Sequence, residues 1–238
     1  MIDDERRLIF AADYDRVKSY RCNEPNVRGR AKRVHTMDSK GYEGPLAMLP
    51  NGRMLRAGKD GVAFWNLDTI PTHGESGTDL IGTKIMEVET WSDDPESIER
   101  SSGSEPNGTI ALESDGDDDG FKIGKWHSHP SQSNVMICAS ERRTDKYFCH
   151  AFDVEVGGKA VTRYLGHGGT VLGFSTSVAA DPNVFLTWCD DGHARLYDTR
   201  LALPVLTIAA EMQLMPSGSA VLTHPDGIPC MYNIPHVQ

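Results

Sequence analysis

Apolar residues in this chain fall in short runs of four to eight, and no stretch sustains a helical period for three turns. The runs are Arg7-Leu-Ile-Phe-Ala11, Arg53-Met-Leu-Arg-Ala57, Gly61-Val-Ala-Phe-Trp65, Asn134-Val-Met-Ile-Cys138, Tyr147-Phe-Cys-His-Ala151, Asn183-Val-Phe-Leu-Thr187, His193-Ala-Arg-Leu-Tyr197 and Ala220-Val-Leu-Thr223. Many of their residues are β-branched or aromatic, types that suit a pleated, half-buried surface. Turn signals separate them: Pro50-Asn-Gly52, Asp60-Gly61, Asp191-Gly192, Pro216-Ser-Gly218 and Asp226-Gly227. Short strands at even spacing predict an all-β sandwich, barrel or propeller, and a repeat would favour the last.

An aromatic followed by a polar residue recurs as Tyr20-Arg21, Trp65-Asn66, Phe152-Asp153, Tyr197-Asp198 and Tyr232-Asn233. The gaps are 45, 87, 45 and 35 residues, a period near 40–45 once a long insertion in the 87 is allowed for. The clearest unit opens at Gly166-His167, passes Thr187 and Asp191-Gly192, and closes at Tyr197-Asp198. This unit resembles the WD40 repeat. The resemblance implies an all-β, WD40-like β-propeller, incomplete, with about four to five four-stranded blades. It also implies a structural tetrad of His167, Thr187, Asp191 and Tyr197. In that tetrad the Asp191 carboxylate would fix its turn and accept the His167 proton, and Thr187 would relay to the aromatic.

Applied to the whole chain, the family's strand order opens at a second strand, Arg7-Leu-Ile-Phe10, and stops after a third, near Tyr232. A seven-blade ring needs roughly 280–315 residues at ~40–45 per blade, more than the 238 here. Completing a ring would then take further blades, from another chain or from sequence beyond this one.

Charge changes the picture in one place. The net charge is −10, and residues 88–120 hold eleven acids against the single base Arg100, so the remainder is balanced. That segment is rich in Ser, Gly, Asp and Glu and poor in branched apolar residues, the composition of a disordered loop. The expected organisation is therefore 1–87 first blades, 88–120 a disordered acidic insertion, and 121–238 the remaining blades. The strand order would hang the insertion between an outer strand and the next inner one. Asp115, Asp117, Asp118 and Asp119 are its partner-binding candidates, suited to a basic protein. The opposite bias at 16–33, seven bases against Glu24, reads as a solvated rim rather than a nucleic-acid interface.

Other chemistry is sparse. Gly124-Lys-Trp-His-Ser-His-Pro130 resembles the His-x-His-Pro core of JAMM zinc isopeptidases, with His127 and His129 as ligands. The acid that should follow is replaced by Ser140, so the third ligand a catalytic zinc needs is missing. Asp198 and Arg200, in Tyr197-Asp-Thr-Arg200, resemble the ending by which some WD40 proteins dock as substrate adaptors of cullin–RING ubiquitin ligases. Trp188 stands where that motif has a small residue. Five scattered cysteines without a Cys-x-x-Cys pair point to a reducing compartment, cytoplasm or nucleus. No apolar run approaches the ~20 residues of a membrane span. The expectation is a non-catalytic scaffold for protein–protein interaction, without a cofactor.

Overall fold

Leu8 and Phe10 are buried while Ile9 and Ala11 are exposed. This two-residue alternation makes a strand with one face in a core. The computed structural model describes residues 1–22, 31–59, 61–82, 84–88, 96–112, 122–140, 147–176, 181–209, 216–223 and 229–235, with backbone alone for 84–88, 96–100, 140, 216–223 and 229–235. Among them there is no helix.

The first sheet runs β1-β2-β3-β4, from Ile2–Asp3, Leu8–Ala12, Arg16–Arg21 and Lys32–Asp38. The run beginning at Arg7 supplies the second strand, and a two-residue strand, Ile2–Asp3, precedes and pairs with it. The second sheet holds β5 (Leu46–Met48), β6 (Arg53–Ala57), β7 (Gly61–Asn66) and β10 (Gly108–Ala111), ordered β10-β7-β6-β5. Between β7 and β10 sits a hairpin of β8 (Lys84–Val88) and β9 (Glu96–Arg100). The third sheet, β11 to β14, uses Ile123–Ser128, Val135–Ser140, Cys149–Asp153 and Lys159–Tyr164. The fourth, β15 to β18, uses Val171–Thr176, Val184–Cys189, His193–Asp198 and Leu206–Ala209. A last hairpin pairs β19 (Pro216–Thr223) with β20 (Pro229–Pro235).

Four sheets of four antiparallel strands thus follow one another in chain order. The tight turns use glycine where the backbone demands it. Gly52 (φ 81°) and Gly192 (φ 76°) close the Pro50-Asn-Gly and Asp191-Gly turns, in a region where a side chain is strained.

The chain divides into two units, 1–56 with 63–109, and 57–62 with 110–238. The core of the first gathers Leu8, Phe10, Val17, Met37, Met54 and Trp65. Arg56 is buried in the same unit, with its guanidinium donating to the carbonyl of Asp13 at 2.6 Å and to the Ser39 hydroxyl. The core of the second gathers Val135, Ile137, Tyr164, Phe185 and Tyr197, with Phe185 stacked on Tyr197 at 5.1 Å. Within that unit β11 lies beside β15, and β15 beside β19.

The acidic segment differs from the expectation. Part of 88–120 is ordered: β9 and β10 fall inside it, and Ser101 is buried. Ser104 bridges to Met37 of β4, donating its amide to the Thr36 carbonyl at 2.9 Å. Composition missed this because backbone bonds and two isolated apolar residues, the buried Ile110 and Leu112, dock a segment that is otherwise polar. Residues 88–107 also lie between the third and fourth strands of one sheet, whereas only 113–120 join one sheet to the next. Residues 89–95 and 113–120, with Asp115, Asp117, Asp118 and Asp119, lie outside the described residues.

Candidate functional site: the His167–Thr187–Tyr197 cluster and its neighbours

Four of the five aromatics in the sequence pairs occupy one structural position. Tyr20, Trp65, Phe152 and Tyr197 are the penultimate residues of β3, β7, β13 and β17, each the third strand of its sheet in chain order. Trp65, Phe152 and Tyr197 are fully buried. Two of them carry a polar tip and donate it to a backbone carbonyl. The Trp65 indole N–H donates to the Ser104 carbonyl at 3.0 Å, and the Tyr197 hydroxyl to the Leu165 carbonyl at 2.8 Å. A buried aromatic donor needs such a partner. Tyr232 falls on β20, where only the backbone is described.

In the fourth sheet, Gly166-His167 precedes β15, Thr187 sits on β16 and Tyr197 on β17. His167 Nε2 meets the Thr187 hydroxyl at 3.0 Å, and the imidazole stacks on the Tyr197 ring at 5.3 Å. Burial, reinforced by the nearby Arg195 charge and only partly offset by Asp191, lowers the His167 pKa to about 4. The imidazole is therefore neutral at physiological pH.

Two links of the expected tetrad are replaced. Asp191 does not accept from His167. Its Oδ2 takes the Gly168 amide at 2.8 Å and Arg195 Nη2 at 2.6 Å, while Oδ1 takes the His193 amide at 3.0 Å. Thr187 likewise does not bond to Tyr197, whose hydroxyl donates to the Leu165 carbonyl at 2.8 Å and lies 3.3 Å from His167 Nε2. Arg195, absent from the sequence reading, claims the carboxylate because it lies four residues beyond Asp191 across the tight turn, nearly buried beside it. Burial alone would raise the Asp191 pKa, but the bonds from Arg195, Gly168 and His193 outweigh it and the net shift is downward. The signal in the sequence was the alternation of β17, which puts Arg195 opposite Thr187. A neutral imidazole, a hydroxyl and a neutralised carboxylate make a fastening between strands.

Asp198 and Arg200 form an exposed pair, with Arg200 Nε donating to Oδ1 at 2.8 Å and Nη2 to Oδ2 at 2.5 Å. These bonds hold the Asp198 pKa down at about 2. Trp188 lies across from Gly173 in the β15–β16 register, so the glycine gives room to the bulky ring.

His127 lies on β11, and its Nδ1 faces the Ser128 carbonyl at 2.9 Å. His129 follows the strand, buried, with Nδ1 accepting the Ser131 amide at 3.3 Å. Among the described residues no three His, Cys, Asp or Glu side chains are grouped to hold a metal. The described residues form no helix, and so none long and apolar enough to cross a membrane.

No family model matches the chain, and no curated protein is significantly similar to it.

Proposed function

We propose that the sheets are blades of a WD40-like β-propeller and that the chain is a non-catalytic scaffold for protein partners. The observation that carries this reading is the recurrence of one buried aromatic position at the end of the third strand in successive four-stranded meanders. Two further features support it. In the second unit the leading strands β11 and β15 are neighbours although they belong to different sheets. His167 of the Gly-His turn, Thr187 and Tyr197 also meet in the fourth sheet. A sheet of this kind buries its faces on like sheets, so rigid surfaces and loops are left for recognition.

On this reading the acids at 113–120, which fall in the chain between the second and third sheets, attract a basic partner. The test is titration of the full chain with lysine- and arginine-rich peptides, and with acidic peptides of equal length, at rising salt. Selective binding of the basic set that weakens with salt is expected. Equal binding of both sets would remove the acidic segment from the account.

A further inference from the structure

A cavity of about 500 Å³ opens on the first unit, lined by Arg21, Lys32, Arg33, Thr72, Gly74 and Glu75. Its two walls come from separate parts of the chain. Arg21 ends β3, Lys32 and Arg33 begin β4, and the opposite wall is the loop that follows β7.

His73 latches that loop to β4. Its amide donates to the Val34 carbonyl at 2.9 Å, and its Nε2 meets the buried Thr36 hydroxyl at 2.8 Å. Nδ1 faces the Asp79 carbonyl, which fixes the proton on Nδ1 and leaves Nε2 to accept from Thr36. Gly77 presses on the Arg33 backbone, where an added Cβ would come within 3.0 Å of the carbonyl oxygen. Thr72, Gly74 and Glu75 are thereby held opposite the basic wall.

That wall is electrostatically costly to the free protein. Arg21 and Lys32 are direct cross-strand partners, and like charges so placed repel. Among the described residues neither they nor Arg33 has an ion-pair partner, although other arginines of this unit do, as Arg16 with Asp13. The uncompensated field is felt nearby. Arg21 and Arg33 add to burial in lowering the pKa values of His35 and His73.

We propose that this groove binds a phosphate monoester carried on a peptide side chain. Three cations and Glu75 leave a net of +2 in the lining, and a phosphoserine or phosphothreonine carries about −1.5 to −2 with three acceptor oxygens. Two guanidinium groups and an ammonium can donate to all of them. The volume exceeds a lone phosphate and has room for flanking residues. The lining holds no aromatic ring, so it lacks the stacking platform of single-stranded nucleic-acid sites. The inference does not depend on whether the sheets close into a propeller.

The experiment is fluorescence anisotropy on the full chain with a labelled peptide pool degenerate around a fixed phosphothreonine. The same pool with unmodified threonine, the pool with glutamate, inorganic phosphate, a single-stranded RNA and phosphoinositide vesicles serve as comparisons. Phosphothreonine should bind best, inorganic phosphate should compete weakly, and Arg33→Gln and Lys32→Gln should each weaken binding roughly tenfold or more. A thermal melt within a few degrees of the parent confirms that each variant is folded, and Thr78→Ala, outside the lining, should bind normally. Equal binding of the unmodified pool, binding of RNA or vesicles in preference to the peptide, no binding at all, or folded glutamine variants with unchanged affinity would each overturn the proposal.

Discussion

Arg195 and Asp191 form a two-point ion pair across the turn that opens β17, with Nη1 to Oδ1 at 3.1 Å and Nη2 to Oδ2 at 2.6 Å. The same carboxylate holds the Gly168 amide, so one side chain ties the β16–β17 turn to the segment before β15. Asp191→Ala should destabilise the protein by roughly 1–3 kcal/mol, because it leaves a nearly buried guanidinium unpaired. Asp191→Ala with Arg195→Ala should lose less than the sum of the single changes. Denaturant melts of the four proteins give the coupling, and strictly additive losses would mean that the pair does not act as a unit.

Acid should loosen the fold in two stages. The pKa values of His167 and His35 are each lowered to about 4, by burial first and then by neighbouring positive charge. An ordinary histidine titrates near ~6.5, so between those values the unfolded chain takes up the protons first. Stability should be full above pH ~6.5 and fall toward pH ~4, by up to about 3 kcal/mol for each imidazole. Asp191, with its pKa held below the usual value, adds a further loss at still lower pH. Thermal melts across pH 4–8 follow this, and His167→Gln should flatten part of the upper limb. An unchanged profile in that variant would remove His167 from the account.

Gly173 is where the chain makes room for Trp188. A Cβ built there would lie 2.2 Å from the indole ring. Gly173→Ala should push the ring off the strand, cost about 1–3 kcal/mol by overpacking, and shift tryptophan emission to the red. A neutral effect would mean that the ring is not held against β15.

The two parts of the acidic segment should respond differently to deletion. Removing 113–120 should leave a cooperative melt and weaken binding of basic peptides. Removing 88–120 takes away β10 and the Ser104 carbonyl that receives the Trp65 indole. It should therefore destabilise or unfold the first unit. Circular dichroism melts of the two deletions separate the cases, and equal stability would contradict the assignment of β10 to the second sheet.

Inner strands were legible because both their faces meet apolar neighbours. The runs at Arg53, Gly61, Asn134 and His193 fall on β6, β7, β12 and β17 within a residue or so. The last strand of each sheet was not legible. β14 reads Lys-Ala-Val-Thr-Arg-Tyr and alternates between exposed and partly covered positions, ending on the buried Tyr164. It therefore carries charge where a buried strand would carry valine. β3 and β4 read as a basic rim because Arg16, Lys18, Arg21, Lys32 and Arg33 sit at their exposed or partly covered positions. At the site, the repeat singled out His167, Thr187 and Tyr197, which meet in the structure, but the proximity of Arg195 depended on hairpin register. The His73–Thr36 bond spans 37 residues and has no motif to announce it.

The central claim is that these sheets are like units fanned about a common axis. A crystal structure of the purified chain tests it most directly. The account predicts that β11, β15 and β19 lie in succession nearest the axis, with Trp65, Phe152 and Tyr197 at matching places in their sheets. Sheets stacked face to face as a sandwich, with no radial order, would contradict it.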